Sequence, residues 1–462
     1  MSMLRFGRIA NWLVVLALFG LGAGCMPGSS KVAPPEQVVL KYWRVFDNEE
    51  DFAGVIADYR RLHPQVQIEY KKLRPEEYET ELVRALAEGE GPDIFSVHNA
   101  SMGEFESLMV PMPTSVQVAF FETIGSLRKE NVYTTKEVLM PTTRQIRDNF
   151  VDVVEYDAYR VPDGMSGKDG AKIFGLPLFV DTLAMFYNNE LLNAAGIAEP
   201  PATWEEFQEA VRKLTVINEA DVITQSGAAL GTTVNVERAS DIIAALMMQN
   251  GTEMVDDQGN VAFDQVPEGF PDDAQPAVDA VRFYVNFASS NRDVYTWNNT
   301  FPNSFEGFAT GKTAIFFGYS YHLPLLRAAA PKLKFTVAKL PQIQESRQVN
   351  FANYWLEGVA KSSKHQNYAW DFIRFITSAD EAKKFILTAQ KPTALTSLIN
   401  TQLNDEEMGV FAEQTLTAQS WYKGKDPAAM EAALNQLAEA TLLGEDPVGR
   451  LRRAASLIKQ SY

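Results

Sequence analysis

Cysteine is nearly absent from this chain: one residue, Cys25, in 462. An intrachain disulfide is therefore excluded, and burial of a core must hold the fold together. Histidine is scarce as well. His63, His98, His322 and His365 lie far apart, and none has a second ligand at the spacing a metal site needs, so no metal is expected. Basic charge is outweighed, with 42 Lys and Arg against 59 Asp and Glu and a formal charge of −17. Such a chain repels nucleic acid, and no basic run compensates; Lys71 and Lys72 form an isolated pair. Beyond the first two dozen residues, no apolar stretch reaches the ~18 residues of a membrane-spanning helix. Catalytic signatures are missing too. There is no G-x-S-x-G elbow. Gly307-Phe308-Ala309-Thr310-Gly311-Lys312-Thr313 imitates a phosphate loop, but it has three residues between its glycines where four are needed, and a strand-like run, Ala314 to Phe317, follows it. Carboxylate pairs follow from the acidic composition and identify no glycosidase. The chain is expected to bind rather than convert, with no cofactor.

What is present begins at the N-terminus. Arg5 and Arg8 form a basic n-region, Ile9 to Leu21 is mostly apolar, and Leu21-Gly22-Ala23-Gly24 leads into Cys25. This is the layout of an export signal, and it resembles a lipoprotein lipobox. The resemblance implies a signal peptide over residues 1–24, Cys25 as a lipidated first residue, and a chain held on the membrane outside the cytoplasm. Residues 25–36 are small, polar and proline-containing, the composition of a flexible tether.

A strand–helix rhythm follows. Val38 to Trp43 reads as a buried strand, and Asp47 to Leu62 as a helix with Phe52, Val55, Ile56, Tyr59 and Leu62 on one side. Asp47 and Glu50 have the spacing of a capping box, and His63-Pro64 stops the helix. Gln65 to Tyr70 alternates as a strand, Pro75 to Ala87 is a second helix closed by Gly89, and Asp93 to Val97 is a third strand. This order predicts a parallel sheet covered by helices, an α/β fold. Residues 120–170 carry no clear period. Thr203, with Glu206 three residues on, opens another helix whose apolar side holds Trp204 and Phe207, which are expected in the core.

Aromatic residues combined with amides and charged groups recur at the ends of the expected strands: Trp43 with Arg44, His98 with Asn99, Trp297, Tyr319, Tyr354 with Trp355, and Trp421. Ligands of parallel α/β sheets collect beyond the carboxyl ends of the strands. Aromatic faces suit the apolar faces of sugar rings, and Asn, Asp and Arg suit their hydroxyls. These residues, with Arg238 and Asp181, are the candidate ligand contacts. Asp181 interrupts the apolar run from Leu176 to Tyr187, where an unpaired carboxylate would be costly.

Several segments, in order, resemble the extracellular solute-binding proteins of ABC importers, in the carbohydrate-type group that includes maltose-binding protein. They are Tyr59 to Ile68, Leu86 to Ile94, Phe174-Gly175-Leu176-Pro177 with Asp181 to Asn188, Pro201 to Phe207, and Phe308 to Ile315. The resemblance implies a two-lobed periplasmic-binding-protein fold of type II, hinge strands and one ligand in the cleft. With crossings near Asp181, Ala314 and Phe351, the first lobe is expected over 37–181 and 315–351, and the second over 182–314 and 352–462. A monomer is implied, capturing a small solute, foremost a carbohydrate, for delivery to permease subunits in the membrane. Other solutes suit the same fold: a phosphorylated polyol would use Arg44 and Arg238, a polyamine Asp47 and Asp181, and a peptide is a further choice. A secreted carbohydrate-active enzyme is the alternative from another class.

Overall fold

The computed structural model describes residues 35–126, 129–161, 170–343 and 347–462. Cys25, the signal over 1–24 and nearly all of the tether lie outside the described residues.

The first lobe is built on Val38–Val45. That strand pairs in parallel with Val66–Leu73 on one side and with Ile94–His98 on the other. Trp355–Ala360 then joins antiparallel to Ile94–His98, with Trp355 opposite His98. Helix Glu49–Leu62 covers this sheet and buries Phe52, Val55 and Tyr59. Its cap falls one residue later than the sequence spacing predicts, on Asn48 instead of Asp47. The amide of Asn48 donates to the carboxylate of Asp51 at 2.7 Å, because Asp47 is taken by an ion pair with Arg44. Helix Pro75–Glu88 ends at Gly89, whose φ of 75° lets its N–H turn back to the carbonyl of Ala85. A long hairpin, Ser115–Ile124 with Glu130–Leu139, lies in the region where the sequence shows no period.

The second lobe has its own sheet, with Ala184–Asn188 flanked antiparallel by Ile315–Gly318 and Phe335–Ala338. Helix Trp204–Leu214 packs Trp204, Phe207, Val211 and Leu214 into its core. Thr203 caps that helix, its hydroxyl accepting from the amide of Glu206 at 3.2 Å.

A small third sheet joins the lobes. Asp181–Thr182 pairs antiparallel with Asn350–Asn353, which pairs in parallel with Ala418–Gln419. This pairing corrects the expected lobe boundaries. Residues 315–351 do not return to the first lobe, since Ile315–Gly318 and Phe335–Ala338 both pair with Ala184–Asn188. Residues 352–462 do not all belong to the second lobe either. Trp355–Ala360 completes the first sheet, and helices Gln366–Ile376 and Ala379–Ala389 bury Phe372, Ile373 and Phe385 in the first core. The chain crosses again at Ala418–Gln419, and helices Pro427–Leu442 and Pro447–Lys459 close the second core. No crossing occurs at Ala314, because that residue leads directly into a second-lobe strand. Short apolar strands look alike in sequence, and only long-range pairing tells which sheet each one enters.

Candidate functional site in the interlobe cleft

Beside the crossing strands, the two lobes close down on a small cavity of about 20 Å³, room for about one water. His98 and Asn99 enter it from the end of a first-lobe strand, as expected for a ligand site beyond strand carboxyl ends. Arg238, Asp241 and Glu431 enter from the second lobe, and Trp421 follows the last crossing.

A continuous polar network runs across this wall. His98 Nδ1 accepts from the amide of Ala100 at 3.3 Å, so the ring carries its proton on Nε2, which faces Asn353 Oδ1 at 3.1 Å. Asn353 Nδ2 donates to Asp241 at 3.4 Å. Asp241 also accepts from the Tyr319 hydroxyl at 2.6 Å and from Arg238, through Nε at 2.9 Å and a terminal nitrogen at 2.8 Å. That terminal nitrogen reaches Glu431 at 2.9 Å as well. Arg238 makes this forked pairing from a φ of 55°, left-handed backbone that residues other than glycine seldom adopt. Burial, and then the nearby Arg238 charge, push the His98 pKa down to about 4, so its imidazole is neutral near pH 7.

Aromatic rings stand around the network. Phe46, just past the end of the first strand, stacks on Tyr321 of the second lobe with centroids 5.8 Å apart and planes 9° apart. Tyr321 in turn stacks on Tyr319 at 5.9 Å. Trp355 presents its edge to Phe46 at 6.2 Å and to His98 at 5.3 Å.

The sequence candidates divide between this site and the cores. His98, Asn99, Arg238 and Trp421 line the cavity, while Tyr319 and Trp355 adjoin it. Trp43 lies in the first core with the Lys71 ammonium 4.1 Å from its ring centroid. Arg44 is 2% exposed and enclosed by Asp47, Glu357 and the Tyr42 hydroxyl, so it holds the first lobe together instead of facing a ligand. Tyr354 is fully buried, donating to Asp157 at 2.8 Å, and Trp297 is buried on Phe301 with its Nε1 donating to Asn235 at 3.1 Å. Both fill cores, because their strand-end or loop positions point into the lobe. Asp181 sits at a crossing, but its carboxylate is already engaged. It accepts from the Ser320 amide at 2.9 Å, the Ser320 hydroxyl at 2.6 Å and the Thr182 amide at 2.9 Å. Burial pushes its pKa up, and the Ser320 hydrogen bond opposes that. Sequence reasoning missed Phe46, Asp241 and Glu431. Phe46 directly follows the first strand, and Asp241 is the lone acid of the otherwise mostly apolar helix Ala239–Gln249, so each left a usable signal; Glu431, in a helix that also holds Glu439, carries none.

Residues 54–412 match the model of a family described as bacterial extracellular solute-binding protein. This chain belongs to that family. Curated relatives from Brucella abortus and Brucella suis, named only as binding proteins, are 22% identical over 216 residues. That covers 46% of this chain and 49% of each relative, so the chain spans about half the length of the curated relatives it matches. Solved structures extend the likeness to the whole fold of this solute-binding chain. The cyclic α-maltosyl-1,6-maltose binding protein of Arthrobacter globiformis superimposes with a TM-score of 0.69 at 16% identity, covering 92% of this chain and 99% of that one. An ABC substrate-binding protein of Listeria monocytogenes in complex with cycloalternan gives 0.66 at 15% identity, with 92% and 99% covered. A solute-binding protein of Thermotoga lettingae bound with α-D-tagatose gives 0.62 at 18%, with the same coverage. At these identities the likeness is one of fold: two α/β lobes and a cleft. Among the described residues no helix is long and apolar enough to cross a membrane.

Proposed function

We propose that this chain captures a sugar or oligosaccharide in the interlobe cleft and delivers it to the permease of an ABC importer. One observation carries the reading: stacked aromatic rings from both lobes, Phe46 and Tyr321, stand beside a hydrogen-bonding network of His98, Asn353, Asp241 and Arg238. Ring faces suit the C–H faces of a pyranose, and the network suits its hydroxyls. Several proteins of similar fold hold a saccharide, among them cycloalternan, maltotetraose and mannotriose, which agrees with the reading. Closing two lobes on a ligand is a hinge motion, and the closed surface is what a permease would recognise.

The other solutes find less support. Arg44 and Arg238, the cations a phosphorylated polyol needs, are each shared between two carboxylates. Asp47 and Asp181, which a polyamine would use, are occupied by Arg44 and Ser320. For a glycoside hydrolase, Asp241 and Glu431 are both tied to Arg238 rather than flanking an open space. Lipidation at Cys25 would hold the protein on the membrane outside the cytoplasm, where two or more acyl chains give stable anchoring.

A thermal-shift screen against mono- and oligosaccharides tests the capture reading. A saccharide at ~100 times its dissociation constant stabilises by about 2.7 kcal/mol. No shift with any saccharide refutes it, and cleaved products after incubation would favour the enzyme.

A further inference from the structure

A second cavity lies within the second lobe. Its volume is about 380 Å³, far larger than the space left between the lobes and within the range of pockets that take small molecules. Residues of helices Trp204–Leu214, Ala239–Gln249 and Pro276–Asn286 line it. The middle helix separates it from the cleft. Asp241 lines the cleft from one end of that helix, and Asn250, just past the other end, lines the cavity, roughly 13 Å further on by the helical rise.

Where the lining is buried it is apolar: Leu246, Ala280 and Trp204. Trp204 also meets Phe283, another lining residue, edge to face with centroids 5.5 Å apart. The Trp204 ring is held in place. Its Nε1 donates to Gln249 Oε1 at 2.6 Å, and Gln249 Nε2 donates to the carbonyls of Pro341 at 3.1 Å and Val349 at 3.0 Å. Phe207 and Phe317 pack against the same ring. A wall fixed in this way is preorganised, so a ligand meets it with little further loss of side-chain freedom.

Where the lining is exposed it accepts hydrogen bonds and positive charge. Its two charged residues, Glu205 and Asp279, are both acidic. The Glu205 carboxylate has no hydrogen bond or ion pair among the described residues. The Asp279 carboxylate has Arg282 at 3.6 Å. Asn250 Nδ2 donates to the Pro276 carbonyl at 2.8 Å, which leaves Asn250 Oδ1 as a further acceptor. Two bases stand close by, Arg282 beside Asp279 and Arg347 beside Gly251, and neither lines the cavity.

We propose that this cavity is a second ligand site and that it takes an aromatic amine, its ring against Trp204, Phe283 and Leu246 and its ammonium group toward Glu205 and Asp279. A sugar would bring hydroxyls against Leu246 and Ala280, where they lose water without gaining a partner. An anion would meet two like charges. An aromatic cation suits both parts of the lining, and ring faces attract it further. Sugar capture in the cleft neither requires this site nor is required by it.

Calorimetric titration with tryptamine, uncharged N-acetyltryptamine and anionic indoleacetate keeps the ring and varies the charge. Tryptamine should bind ~10-fold more tightly than N-acetyltryptamine, and the gap should shrink at high salt. Glu205→Gln and Asp279→Asn should each weaken tryptamine by up to ~5-fold, the worth of one exposed charge pair, and leave N-acetyltryptamine unchanged. Ala280→Leu, which adds bulk to the buried lining, should abolish tryptamine binding. Both acids are exposed, so their variants keep the test valid if Ala280→Leu does not fold. Equal or tighter binding of the neutral or the anionic probe overturns the inference, and so does the absence of tryptamine binding. Tryptamine affinity that falls in Trp355→Ala but not in the Glu205 and Asp279 variants would place the amine in the cleft and overturn the site.

Discussion

Phe46 and Tyr321 stack ring on ring across the cleft, one from each lobe, and Phe46 does so from a φ of 69°. A left-handed conformation costs a bulky residue roughly 1–2 kcal/mol, while an aromatic pair is worth about 0.5–1.5 kcal/mol. The backbone cost and the ring contact nearly offset, so the stack is poised to yield to a ligand. Phe46→Gly removes both, and Phe46→Ala removes only the ring. The glycine variant should therefore be more stable than the alanine variant by about 1 kcal/mol in denaturant titration. Both should give a larger radius of gyration without ligand by solution scattering; unchanged dimensions would deny the stack a role in holding the lobes together.

Trp355 and Trp297 should separate cleanly. Trp355 is partly buried beside Phe46 and His98, whereas Trp297 is wholly inside the second core. Trp355→Ala should weaken sugar binding by roughly 1–3 kcal/mol. Trp297→Ala should lower stability by about 3–5 kcal/mol and leave the affinity of the folded fraction intact. The pair is read by melting and calorimetry on each variant, and a Trp355→Ala protein with full affinity would remove that residue from the site.

Asp181→Ala leaves the Ser320 amide and hydroxyl and the Thr182 amide without their acceptor at the crossing. The expected loss is about 1–3 kcal/mol of stability. A primary role in holding ligand hydroxyls would instead show as lost affinity at unchanged stability, so measuring both decides.

Acid should weaken the fold through His98. Its pKa is about 4 in the folded chain against an ordinary 6.5, so the unfolded chain takes up a proton first as pH falls. The stabilisation tied to the neutral ring is complete above pH ~6.5 and declines toward pH ~4, by at most about 1.4 kcal/mol per unit. His98→Gln should flatten that part of a stability-versus-pH curve; an identical slope in the variant would show that other groups carry it.

Cys25→Ala should move the protein from the membrane fraction to the soluble extracytoplasmic fraction. Continued membrane attachment of that variant would rule out lipid at this residue.

Local chemistry determined much of this protein from its sequence. Phe52, Val55 and Tyr59 at helical spacing, Gly89 after a helix and Thr203 with Glu206 each act within one or two turns, and the helices form where those signals lie. The ordered motifs from Tyr59 to Ile315 likewise led to the family and its α/β lobes. The hairpin Ser115–Ile124 with Glu130–Leu139 stayed hidden because its apolar residues fall on both faces, Val116 and Val118 on one, Phe121 and Tyr133 on the other. Lobe membership was a tertiary decision: Ile315–Gly318 and Trp355–Ala360 are both short, buried and mostly apolar, and only distant partners sort them into different sheets. The site was decided the same way. Whether Arg44 or Arg238, Trp297 or Trp355 meets the cleft depends on which buried carboxylate, amide or ring lies opposite after folding, and Glu357, Glu431, Asn235 and His98 are tens to hundreds of residues away in the chain.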